Sequence, residues 1–232
     1  MSDEAARPVS PLLPERARRP AAIIAGCCAV VLAAGAAVAA GRSQGNALDG
    51  RVDSWVIGHF HTHLDGMKQI TDLGSPTPVL ALTVIVVLAC LVVRRVNGAI
   101  LMVAAILLAN VLTELVLKPA VGETIGHPGV LSYPSGHTTN VFTLVAVVAV
   151  LLAAPPDPRL PGWARAGLTV IAVAAGVVVA VSLIGIQYHY FTDTVGGACV
   201  AAGVVLALAL LLDVPRARAR MGRWSFRSGN RA

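Results

Sequence analysis

"SYPSGHTTNVFTLVAVVAVLLAA", residues 132–154, begins with eight residues, six of which carry a hydroxyl or an imidazole, and continues in an almost wholly apolar run. The stretch Thr138–Ala154 has the length needed to cross roughly 30 Å of hydrocarbon. A backbone in lipid has no water to bond, so this stretch must be helical. A polar Ser-Gly-His cluster at the mouth of such a helix is chemically conspicuous, because chains entering lipid normally shed these groups.

Working outward, five further stretches have the same character: Ala21–Ala40, Thr77–Val93, Gly98–Leu117, Ala166–Ile186 and Thr194–Leu212. The chain is 56% hydrophobic and 13% charged, far more apolar than a soluble domain. The expectation is an all-α integral membrane protein, a bundle of six transmembrane helices. Residues 1–20, with four prolines, are expected to form a disordered cytoplasmic tail, 21–212 the membrane domain, and 213–232 a basic cytoplasmic tail. The first apolar stretch exceeds the 7–15 residues usual for a signal-peptide core, which favours a retained span over a cleaved one.

The formal net charge of +6 does not point to nucleic acid, because the basic residues sort by loop. Arg7, Arg16, Arg18 and Arg19, then Arg94 and Arg95, then Arg159 and Arg165, and finally six arginines after residue 215 alternate with loops holding only Arg42, Arg51, Lys68 and Lys118. The positive-inside rule then puts both termini in the cytoplasm and loops 41–76, 118–137 and 187–193 on the outer face of the plasma membrane. Arginine outnumbers lysine strongly and Ala and Val dominate, a composition typical of GC-rich bacterial genomes. The four cysteines lie within spans and show no metal-ligand spacing.

In the first outer loop, Leu48, Val52, Trp55, Val56, Phe60 and Met67 recur at helical spacing with Asp49, Asp53 and Asp65 between them. That pattern predicts an amphipathic helix at the interface. Its His59, His61 and His63 lack a nearby Cys or Glu at ligand spacing, so interfacial histidines are preferred to a metal site.

Two outer segments collect the remaining chemistry. His189 and Asp193 are four residues apart, the spacing of one helical face. A carboxylate there holds one ring nitrogen and leaves the other as a directed base or nucleophile; a purely structural pair at a helix end is the alternative. Ser135 and Gly136 lead into a helix whose first N–H groups suit a phosphate oxyanion, and His137 at the same mouth is placed to give a proton to a departing oxygen. The simpler reading makes Ser135 an N-cap and His137 an interfacial histidine. Lys118 ends the third span, where it either holds an anion or pairs with Glu114 one turn earlier.

Together these residues resemble the three-part signature of the type 2 phosphatidic acid phosphatase family, the lipid phosphate phosphatases, over about Gly98–Leu212. The family's first part is Lys, six residues, then Arg-Pro; the second is Pro-Ser-Gly-His; the third is Ser-Arg, five residues, His, three residues, Asp. Pro134-Ser135-Gly136-His137 matches in full, Ser182, His189 and Asp193 match at the right spacing, and Lys118 is retained. The resemblance implies hydrolysis of a lipid phosphate or diphosphate headgroup through a phosphohistidine, with no metal or cofactor. His189 would be the nucleophile, Asp193 its orienting partner and His137 the acid, while Lys118, Ser135 and Gly136 would hold the phosphate. Both arginines of the signature are absent: Leu183 and Ile125-Gly126 stand in their places. Arg51 or His127 is expected to restore part of that charge. The competing expectation is a family member that binds anionic or polyprenyl lipid, or a partner protein, without turnover. A transporter or channel has less support, since Glu114 is the ionisable side chain deepest in a span and no paired broken helices are apparent.

Overall fold

The computed structural model describes residues 11–126, 129–154 and 160–228, with side chains described up to residue 214. Nine α-helices follow in chain order among them: α1 (Glu15–Ala39), α2 (Ala47–Phe60), α3 (Leu64–Thr71), α4 (Pro76–Val92), α5 (Val96–Asn110), α6 (Lys118–Val121), α7 (Gly136–Ala153), α8 (Gly162–Gly185) and α9 (Phe191–Ser228). Five helical segments are long and apolar enough to cross a membrane. The sixth is α4, seventeen residues long, which meets the α2–α3 arm at a bend of 51°. At 1.5 Å per residue it reaches about 25 Å, close to the thickness of the hydrocarbon. The protein is therefore a multi-pass, all-α membrane protein, with α2 and α3 as the helical arm expected in the first loop.

Helix α9 is the spine, packing along α1 and α7 and against α5. Small side chains make this close approach possible: Ala105, Ala109, Ala201 and Ala209 are completely buried. Helices in lipid gain little from hydrophobic exclusion and associate through such close packing instead. The backbones of α7 and α9 come closest to touching at Gly197, where an added Cβ would collide with the carbonyl oxygen of Ser135 at the start of α7. The largest core cluster joins Leu101 and Met102 of α5, Leu144 and Val147 of α7, and Val205 and Ala209 of α9. Apolar side chains such as Leu115, Val92 and Val30 point outward, as they do where lipid is the solvent.

Residues 12–20 are structured where their composition suggests disorder. Leu12 and Leu13 are buried, and their N–H groups donate to the Asp213 carboxylate at 2.9 Å each. Arg18 lies 3.8 Å from the same carboxylate. The expected disordered tail of residues 1–20 is thus corrected: from about residue 12 it is a docked lead-in to α1, because a buried aspartate gathers its free backbone donors. This contact also brings the two ends of the membrane domain to one face of the bundle. Residues 1–10 lie outside the described residues.

At the opposite face α5 does not simply end. It passes into a π-helical turn, Val111–Leu117, and then α6. Gly122, at φ +66°, closes α6 in the left-handed region that favours glycine. The chain then doubles back through an antiparallel bridge between Thr124 and Leu131, with Ser132 N–H donating to Glu123 O at 2.9 Å. This clasp is pinned to the end of α1 by Gly41 N–H to Val121 O (2.8 Å) and Thr124 N–H to Arg42 O (2.9 Å).

Candidate functional site

The clasp, the start of α7 and the start of α9 converge on Asp193, which is completely buried. Its Oδ2 accepts from His189 Nδ1 at 3.2 Å, from the Tyr190 N–H at 2.9 Å and from the Ser132 hydroxyl. Its carbonyl receives the Ser135 N–H at 3.0 Å, which ties α9 to the mouth of α7. The expected His189–Asp193 pair therefore forms, although by a different route. His189 lies in the bend before α9 and not on the helix, so the contact is made by the turn at residues 186–190, with Gln187 at φ +59°. With Nδ1 committed to Asp193, Nε2 is the ring nitrogen left for other partners.

Ser135 is the N-cap of α7, its hydroxyl oxygen accepting from Thr138 N–H at 3.3 Å. As an acceptor toward the helix it keeps its proton for another partner. Gly136 opens the first turn, and the space where its Cβ would be is filled by the Glu114 carboxylate, with Lys118 Nζ 3.6 Å from that position. Lys118 makes bonds of 2.9 and 2.8 Å to the two oxygens of Glu114. An acidic side chain thus rests beside the positive end of α7, where an anion is favoured. His137 is half-buried against Gly74, within electrostatic reach of His189, Lys118, Glu114 and Asp72.

Lys118, Ser135, Gly136, His137, His189 and Asp193 are therefore gathered at one end of the bundle. Arg51 is not among them. Asp49 and Asp53 face α9, and Arg51, two residues from each, lies about 200° around the helix, exposed. His127 lies outside the described residues. Leu183 is completely buried, so an apolar side chain fills the place where the signature has an arginine.

Several supporting residues had no distinct signal in the sequence. Asp49 accepts from Thr192 N–H (2.8 Å) and its hydroxyl (3.1 Å), and Asp53 from Phe191 N–H at 3.2 Å. The interfacial helix α2 thereby caps the first turn of α9, which would otherwise present unpaired donors. Burial and the neighbouring Asp49 push the Asp53 carboxyl up to about 7. Tyr133 is buried between Gly35 of α1 and Gly196 of α9 and donates to Leu32 O at 2.9 Å. Asn140 bonds Asn110 at 2.8 Å and Gly74 O at 3.2 Å, fixing the turn behind His137. The period of a short polar segment does not reveal such cross-chain bonds. Of the loop histidines, His59 and His61 bond carbonyls of their own arm, and no group of three metal-binding side chains occurs among the described residues.

The site belongs to a multi-pass helical bundle that brings two histidines, a lysine and a helix start together at one membrane face. The PAP2 superfamily pattern matches residues 98–217, which include all of these side chains, and the chain belongs to that superfamily. Its fold is similar to the crystal structure of a transmembrane PAP2-type phosphatidylglycerolphosphate phosphatase from Bacillus subtilis, with a TM-score of 0.65 and 21% identity over 82% of this chain and 96% of that one. No curated protein sequence matches the chain.

Proposed function

We propose that this protein is a phosphatase of a membrane lipid phosphate or diphosphate, working through a phosphohistidine at the outer face of the membrane, with both termini cytoplasmic. The observation that carries the reading is the His189–Asp193 pair, 3.2 Å apart, joined through backbone to the Ser135-Gly136-His137 helix start. The imidazole nitrogen not bonded to Asp193 attacks phosphorus, and the bond to the leaving oxygen breaks as His137 supplies its proton. Water, losing a proton to His137, then attacks the phosphohistidine, releasing inorganic phosphate and regenerating His189. The equatorial oxygens rest on Lys118, the Ser135 hydroxyl and the Gly136 N–H. Preorganised donors of this kind supply most of the stabilisation in phosphoryl transfer.

Phosphate release by the purified protein, in detergent with chelator present, tests the reading against phosphatidic acid, phosphatidylglycerol phosphate and polyprenyl diphosphate. Release that His189→Ala and His137→Ala both abolish is the expected result. No release from any of them, with lipid binding intact, favours the second reading, a binder of anionic lipid without turnover. The buried Leu183 and the Glu114 carboxylate beside Gly136 are the observations on that side.

A further inference from the structure

Asp193 and Glu123 leave one problem unsolved by the bonds described so far. Three donors converge on Asp193 Oδ2, yet Asp193 Oδ1 is buried without one, and so is Glu123 Oε2. Glu123 itself is 1% exposed, on the clasp strand whose partner residue, Ser132, bonds Asp193. Ser132 joins the two residues, its N–H donating to the Glu123 carbonyl at 2.9 Å and its hydroxyl to Asp193 Oδ2, and the two carboxyl groups lie within electrostatic reach of each other. Two ionised carboxylates offer only acceptors, and a buried acceptor without a donor costs about 1–3 kcal/mol, more where it is charged. A single proton between them satisfies both orphan oxygens at once.

We propose that Glu123 is a positioning residue, a neutral carboxylic acid whose proton bonds Asp193 Oδ1 and thereby keeps Oδ2 directed at His189. No signature position corresponds to it; it lies within the segment between Lys118 and Ile125. The charged groups facing Glu123 agree with the neutral form. Asp193 of α9 and Asp49 of α2 oppose its ionisation, Arg42 after α1 is the counterweight, and burial with the neighbouring Asp193 pushes its carboxyl up to about 9. Below that value the proton is held; above it two facing carboxylates repel, and the His189 mount loosens.

The kinetic part of the test rests on the phosphatase reading; the spectroscopic part does not. Infrared spectra at about pH 8, wild type minus Glu123→Gln, are expected to show a protonated-carboxyl band that disappears as pH rises through about 9. A flat difference spectrum would overturn the assignment, whether or not the protein releases phosphate. In the phosphate-release assay, Glu123→Leu is expected to lower kcat by up to about a hundredfold with little change in KM, the scale of a misplaced reacting group. Glu123→Gln, which keeps an N–H donor, should recover most of that loss and remove the fall in rate above about pH 9. An alkaline limb identical to wild type in Glu123→Gln would also overturn it. Absence of phosphate release from the wild type with every lipid would sink the phosphatase reading, while the infrared titration still decides Glu123.

Discussion

The two halves of the site are built to different standards. Around Asp193, the α9 half is closed and heavily bonded: Ser132, Tyr190 and His189 converge on one carboxylate oxygen, and Asp49 and Asp53 cap the helix that carries it. Around Lys118, the half proposed to hold phosphate is thin. Its one described cation is paired with Glu114, and Leu183 is apolar where the signature calls for arginine. Aiming a nucleophile and stabilising an anion are separable tasks, and under the proposed function this chain is better equipped for the first than for the second.

The largest effect should come from the well-built half. His189→Ala is expected to lower phosphate release by at least about a thousandfold, as removal of an essential nucleophile does; a residual rate near wild type would dissolve the contrast by showing that the bonded half is only structural. Asp193→Asn should follow, with kcat down on the order of a hundredfold and KM little changed, since the imidazole loses its orienting carboxylate. Equal losses from Asp193→Asn and His189→Ala would mean that the two act as one unit.

The thin half should respond in the opposite direction. Glu114→Gln frees Lys118 and removes a carboxylate from the α7 mouth, so KM should fall several-fold, in line with about 1 kcal/mol of released charge-assisted bonding. A rise in KM would show that Glu114 helps to hold the substrate and does not compete with it.

The smallest effect lies at the α2 cap. Asp53 has its carboxyl raised from 3.8 to about 7 in the folded protein, so the folded state binds this proton more tightly than the unfolded one. The sign follows: its contribution is most favourable below about pH 4 and is lost as pH rises toward 7. Asp53→Asn should flatten the thermal stability profile across that window, read as Tm in detergent against pH. An unchanged profile would detach α2 from the well-built half.

The helices were legible in the sequence because each apolar stretch is long and the bilayer allows only one backbone solution for it. The residues of the candidate site were legible for a related reason. Pro134-Ser135-Gly136-His137 is contiguous, and His189 and Asp193 are four residues apart, so local spacing carries the pattern. Their partners were not. Asp49 and Asp53 scan as the polar face of an interfacial helix, and Tyr133 as one more polar residue before a span.

By itself, then, the sequence determined that this is a multi-pass helical membrane protein with a PAP2-type cluster at one face, because length, hydropathy and short-range spacing are local properties. Only the tertiary structure decided that His189 is held by a turn and not a helix, that Arg51 points away, that Glu114 rests beside Gly136, and that Glu123 is buried. Those outcomes depend on how α1, α2, α7 and α9 cross. A hydrogen bond between residues 61 or 143 positions apart leaves no period in the chain that makes it.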